Sequence, residues 1–93
     1  MKVADTLTRF ANARERAYRS AGSLRMAQLS AISKIRNVAS MVNGKSESVQ
    51  MRAVIRLESE IIQIMPHPES RFKKLRDNIN QLIEKAHDYS PNY

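Results

Sequence analysis

Apolar residues recur along this chain at spacings of three and four, and no stretch alternates apolar and polar over the length of a strand. Four segments of helical length follow from that pattern. The first, residues 3–21, places Val3, Leu7, Phe10, Ala17, Tyr18 and Ala21 at helical spacing, with Arg14 interrupting the stripe. Gly22 supplies a C-terminal stop and Ser23 the N-cap of the next segment. The second, residues 24–42, repeats Leu24, Ala27, Ala31, Ile35, Val38 and Val42 on one face, widened by Met26, Leu29, Ile32 and Met41. So broad an apolar face predicts a helix covered on more than one side. Asn43-Gly44 breaks the chain, and Ser46 or Ser48 caps a third helix with Val54, Leu57, Ile61 and Ile64 as its core stripe.

Met65-Pro66-His67-Pro68 cannot continue a helix, whereas Pro68 suits the first position of a new one and Glu69 its first turn. The fourth helix is expected over Glu69–His87, with Phe72, Leu75, Ile79, Leu82, Ile83 and Ala86 in the cleanest amphipathic stripe of the sequence. The end of the chain, from about residue 88 through 90–93, reads as a frayed tail. The fold class is all-α, with about four helices joined by short turns in a single domain over 1–93. Those helices pack either as stacked hairpins or as a small up-and-down bundle. The short joint at Gly22 also allows an extended, dimeric arrangement, so a homo-oligomer is kept as an alternative.

Composition limits the chemistry. Ninety-three residues give a thin core, and the absence of cysteine removes disulfides, thiolate metal sites and a cysteine nucleophile. Apolar runs are far shorter than the ~20 residues of a membrane span, and no signal-peptide core opens the chain, so the expectation is a cytoplasmic protein without membrane contact. His67 and His87 have no neighbours spaced to complete a metal set, no glycine-rich phosphate loop is present, and Glu58 and Glu60 diverge on a helix. The reading is a protein without catalytic residues, metal or cofactor.

Charge then decides where a partner would bind. The net charge is +7, and residues 1–45 carry it all: nine basic residues face only Asp5 and Glu15, whereas residues 46–93 hold seven of each sign. Residues 1–45 therefore read as a basic contact half and residues 46–89 as neutral scaffold helices. Arg9, Arg14, Arg16, Arg19, Arg25, Lys34 and Arg36 are the candidate partner-binding residues, with arginine favoured for bidentate contacts to carboxylate or phosphate. Arg9 and Arg16 share a face of the first helix, and Arg14 points elsewhere. Pro66, His67 and Pro68 form a second candidate, a loop whose X-Pro bonds a peptidyl-prolyl isomerase would recognise.

The opening MKVADTLTRFANARERAYRSAG and the later IIQIMPHPESRFKKLRDNI together resemble the anti-RecBCD proteins of temperate lambdoid bacteriophages. That resemblance spans most of the chain without a diagnostic motif and carries no site residues with it. It implies a bacteriophage protein of the recombination region, acting in the bacterial cytoplasm. Such a protein binds the host RecBCD helicase-nuclease through the RecC subunit, as a nuclease inhibitor or modulator that preserves phage DNA ends for recombination. The alternative from charge alone is a helical protein that binds nucleic acid directly through phosphates. Against it stand the lack of tryptophan and the scarcity of other aromatic residues for stacking.

Overall fold

The computed structural model describes residues 3–88 and is all-α. Its elements are α1 (Val3–Ser20), α2 (Met26–Val42), α3 (Glu47–Ile64), α4 (Ser70–Lys73) and α5 (Leu75–Asp88). The expected tail at 90–93 lies outside the described residues, as do the side chains of Ala86 and His87.

Two glycines make the first two turns as expected, each at positive φ. At the end of α1 the Ser23 amide donates to the Tyr18 carbonyl and the Gly22 amide to the Arg19 carbonyl, the paired bonds of a Schellman closure around Gly22 at φ +66°. This closure uses the Ser23 amide, residues 23–25 belong to no helix, and Arg25, in extended geometry, caps α2 in place of Ser23. The Arg25 amide donates to Gln28 Oε1 at 2.8 Å. After α2, Asn43 at φ −60°, ψ 123° and Gly44 at φ +76° form a type II turn, closed by the Lys45 amide on the Val42 carbonyl. Of the two serines considered as caps for α3, Ser46 is the one, accepting from the Val49 amide.

The fourth helix departs from expectation. Its stripe is continuous in sequence, but the helix is divided at Lys74, whose φ −89° and ψ −2° separate α4 from α5. Just before it the Phe72 amide reaches back only three residues to Glu69, so the short piece starts with a tightened turn. Lys74 stays close to helical geometry and the apolar phase survives the break. Phe72, Leu75, Ile79 and Ile83 all remain buried.

The helices run up, down, up and down. Ala4 and Thr8 lie beside Asn43 and Ala39, Lys34 meets Glu60, Glu58 meets Arg76, and Phe10 meets Phe72, so each adjacent pair is antiparallel. α2 is covered by α1 on one side and α3 on the other, as its broad stripe required. It contributes Ala31, Ile32, Ile35, Val38, Ala39 and Val42 to one core, shared with Val54, Leu57 and Ile61 of α3. Ile64 of α3 and Leu24 before α2 are only half-buried, whereas Ala27, Met26, Leu29 and Met41 face outward.

α1 corrects its predicted stripe in two ways. Its buried residues are Val3, Leu7 and Ala11, while Ala17 and Ala21 are exposed. Arg14 does not interrupt the inward face but belongs to it, its side chain being nearly covered.

Candidate partner-binding surface

Residues 14 and 16 differ by about 200° around a helix, and α1 uses that phase difference to give its arginines two environments. On the side facing α4, Phe10 meets the Phe72 ring edge-on at 5.3 Å, and Arg14 Nη1 lies 2.6 Å from Glu69 Oε1. The Arg14 side chain is only 12% exposed, and its guanidinium carbon stands 5.9 Å from the Tyr18 ring centre. Burial, reinforced by the Glu69 carboxylate, pushes the Tyr18 phenol above its ordinary 10.0. Arg14 is therefore committed to tying the start of α4 to α1. Its charge is already paired within the fold, whereas Arg9 and Arg16 have no ion-pair partner among the described residues.

The opposite side is open. Positions 9, 12, 16 and 19 follow the i, i+3, i+7, i+10 line of a helix and set Arg9, Asn12, Arg16 and Arg19 along one exposed strip. Arg36 of α2 leans into it, its Nη2 2.9 Å from Asn12 Oδ1 and 2.7 Å from Glu15 Oε1. The other oxygen of Glu15 accepts from Arg19 Nε at 2.8 Å. Asn12, Glu15, Arg16, Arg19 and Arg36 line one depression of about 310 Å³ between the two helices. The Arg19 hydrogen bond first, and then Arg36, hold the Glu15 carboxyl below its ordinary 4.5.

The structure thus brings Arg16, Arg19 and Arg36 to one seam, sets Arg9 further along the same exposed strip of α1, and puts the remaining candidates elsewhere. Lys34 is on the α3 side of α2, 3.4 Å from Glu60. Arg25 is exposed at the start of α2. Among the described residues, Arg9, Arg16 and Arg25 have no ion-pair partner, whereas Arg14, Arg19, Lys34 and Arg36 do.

Charge in the second half is not self-contained. Glu60 and Glu69 are spent on Lys34 and Arg14, which leaves Arg52, Arg56, Arg71, Lys73 and Lys74 exposed and without ion pairs among the described residues. Net charge by segment could not reveal this exchange, because it depends on which helices are neighbours. Sequence reasoning also passed over Glu15 and Asn12. The Glu15–Arg19 spacing of four was readable as a local pair, but the reach of Arg36 from α2 was not.

The Pro66-His67-Pro68 loop packs inward at one point. Pro68 is buried, and Pro66 and Pro68 with Ile61, Ile62 and Phe72 line a small apolar groove rimmed by Glu58 and Lys73. Besides Ile62 of that groove, which is itself exposed, apolar side chains face outward elsewhere: Met26 is 78% exposed, Met41 66%, and Ile55 of α3 is exposed too. Among the described residues no group of three or more His, Cys, Asp or Glu is placed to hold a metal ion. No described helix is long and apolar enough to cross a membrane. No protein-family model, curated protein or solved structure matches this chain.

Proposed function

We propose that this protein acts by binding rather than by catalysis, docking the arginine strip of α1 onto an acidic surface of a partner. The observation that supports this reading is the strip itself, where Arg9 and Arg16 stand exposed on one line without internal partners. Unpaired guanidinium forks on a rigid helix are presented for carboxylate recognition at little ordering cost. Met26 and Met41, exposed on the neighbouring helix, are adaptable apolar side chains of the kind that suit protein interfaces.

The resemblance to the anti-RecBCD proteins suggests which partner to try. The chain would bind the RecC subunit of RecBCD in the bacterial cytoplasm and alter the action of the complex on phage DNA ends. The test is co-elution with purified RecBCD in the absence of DNA, together with nuclease assays on linear duplex. Binding lost on Arg9→Glu plus Arg16→Glu is the expected result. A protein that ignores RecBCD and binds duplex DNA with a steep salt dependence would overturn it. Direct phosphate binding is the second reading, favoured by the free cations Arg52, Arg56, Arg71, Lys73 and Lys74 that spread positive charge beyond the strip.

A further inference from the structure

Glu15 is the only carboxylate in the depression between α1 and α2, and it lies among three arginines. It engages one nitrogen of Arg19 and one of Arg36, so most N–H donors of both forks stay free, while Arg16 at the same rim is unpaired. The side chains of Arg19 and Arg36 are 62% and 40% exposed, against 19% for Glu15. The anion thus lies at the floor and the donors at the opening. The depression already holds one carboxylate between two guanidinium groups, and its surplus positive charge calls for another.

From this we infer that the Arg16–Arg19–Arg36 depression is a carboxylate-binding pocket for an acidic segment of a protein, with Glu15 as an internal competitor that an incoming side chain displaces or shares. The inference rests on the acidic-partner reading above and specifies where and how the acid is held. A carboxylate is favoured over a nucleic-acid phosphate for two reasons. Glu15 opposes any incoming anion, but a single side-chain carboxylate can replace it one charge for one, whereas a phosphate chain brings a continuous run of negative charge past it. The nearby aromatic rings, Phe10 and Tyr18, are turned inward against Phe72 and Arg14, so no ring is offered for base stacking.

Competition by Glu15 has an uncommon consequence: deleting an acidic residue from the site should strengthen it. The full-length protein, labelled with ¹⁵N, is titrated with poly-L-glutamate and separately with a duplex oligonucleotide at one salt concentration, while arginine side-chain Nε–H resonances are followed. Poly-L-glutamate should move the Arg19 and Arg36 resonances. Glu15→Gln should tighten its binding about three- to fivefold, the range expected for one exposed charged contact, and Arg16→Gln should weaken it by a similar factor. Arg19→Lys tests fork geometry, since it keeps the charge and loses the planar donors; weaker binding is expected.

The inference fails if Glu15→Gln leaves the affinity unchanged, or if the duplex moves the same resonances at lower concentration than the polypeptide. Poly-L-glutamate binding that shifts only Arg9 and Arg25 would also defeat the pocket while leaving the acidic-partner reading intact. No binding of the polypeptide at all would defeat both. Circular dichroism of each variant separates loss of the site from loss of the fold.

Discussion

The two sides of α1 carry the same residue type in opposite roles. Arg14 is almost covered and bonded to Glu69, where it helps hold α4 against the first helix; Arg16, two positions on, is exposed and unpaired. Residue type and flanking residues do not separate them, since both stand in the run Ala13-Arg14-Glu15-Arg16-Ala17, although spacing already sets them on different faces. What separates them is helix phase and the neighbour that each phase meets. A basic side chain on an inward face is retained when a carboxylate from another element arrives to neutralise it, and its aliphatic stem then contributes to packing. A basic side chain on the outward face, left without such a partner, is available to something else. The +7 charge of this chain is thus partly structural and partly free.

The largest effect should come from the inward side. Phe72 is buried and edge-on to Phe10, so Phe72→Ala should cost about 3–5 kcal/mol in urea unfolding, much of the stability of a domain this size. A loss below about 1 kcal/mol would mean that α4 is not held against α1, and the contrast between the two sides would collapse. Arg14→Met should cost about 1–2 kcal/mol, because the stem is roughly replaced while Glu69 loses its partner. Arg16→Met, by contrast, should stay within about 0.5 kcal/mol of the parent. Equal losses from the two substitutions would show that phase does not divide the arginines as described.

Much of this fold was legible before any coordinates, and the failures have identifiable causes. Gly22 and Gly44 marked the turns because positive φ is inexpensive only for glycine, and Ser46 marked a helix start because its hydroxyl satisfies an otherwise unpaired amide. Ser23 misled because it completes the glycine closure of α1, and α2 starts only at Met26, three residues further on. The division at Lys74 was invisible because a residue that remains near helical geometry hardly alters the period of Phe72, Leu75 and Ile79. Arg14 looked like an interruption because its neutralising partner, Glu69, is fifty-five positions away. The candidate site was legible to the same depth: Arg9 and Arg16 follow from spacing on one helix, but the convergence of Arg36 on Asn12 and Glu15 needs the antiparallel packing of α1 on α2.

Smaller effects on stability, and larger ones on binding, belong to the outward side. Arg9→Glu with Arg16→Glu should abolish partner capture while leaving the unfolding midpoint nearly unchanged, as measured by co-elution and urea titration on the same samples. Lys73→Glu with Lys74→Glu should leave capture nearly intact. Equal losses from the two pairs would place the contact on general charge rather than on the strip of α1, and would return weight to direct phosphate binding.

The least of these effects is also the one that isolates the seam between α1 and α2. Glu15 is held below its ordinary 4.5 by Arg19 and then Arg36, so the folded state binds its proton less readily than the unfolded chain does. Its contribution is therefore present above 4.5 and is lost as the pH falls through the lower folded value. The parent carries other carboxylates besides Glu15, which makes its pH dependence alone uninformative. The difference between the parent and Glu15→Gln removes that background, because glutamine does not titrate and the remaining acids are common to both. Urea unfolding should show a constant advantage of the parent well above 4.5, shrinking towards zero as the solution is made more acidic. A difference that stays constant into acid would mean that Arg19 and Arg36 do not favour the charged form of Glu15, and the pocket would lose the internal anion on which its chemistry depends.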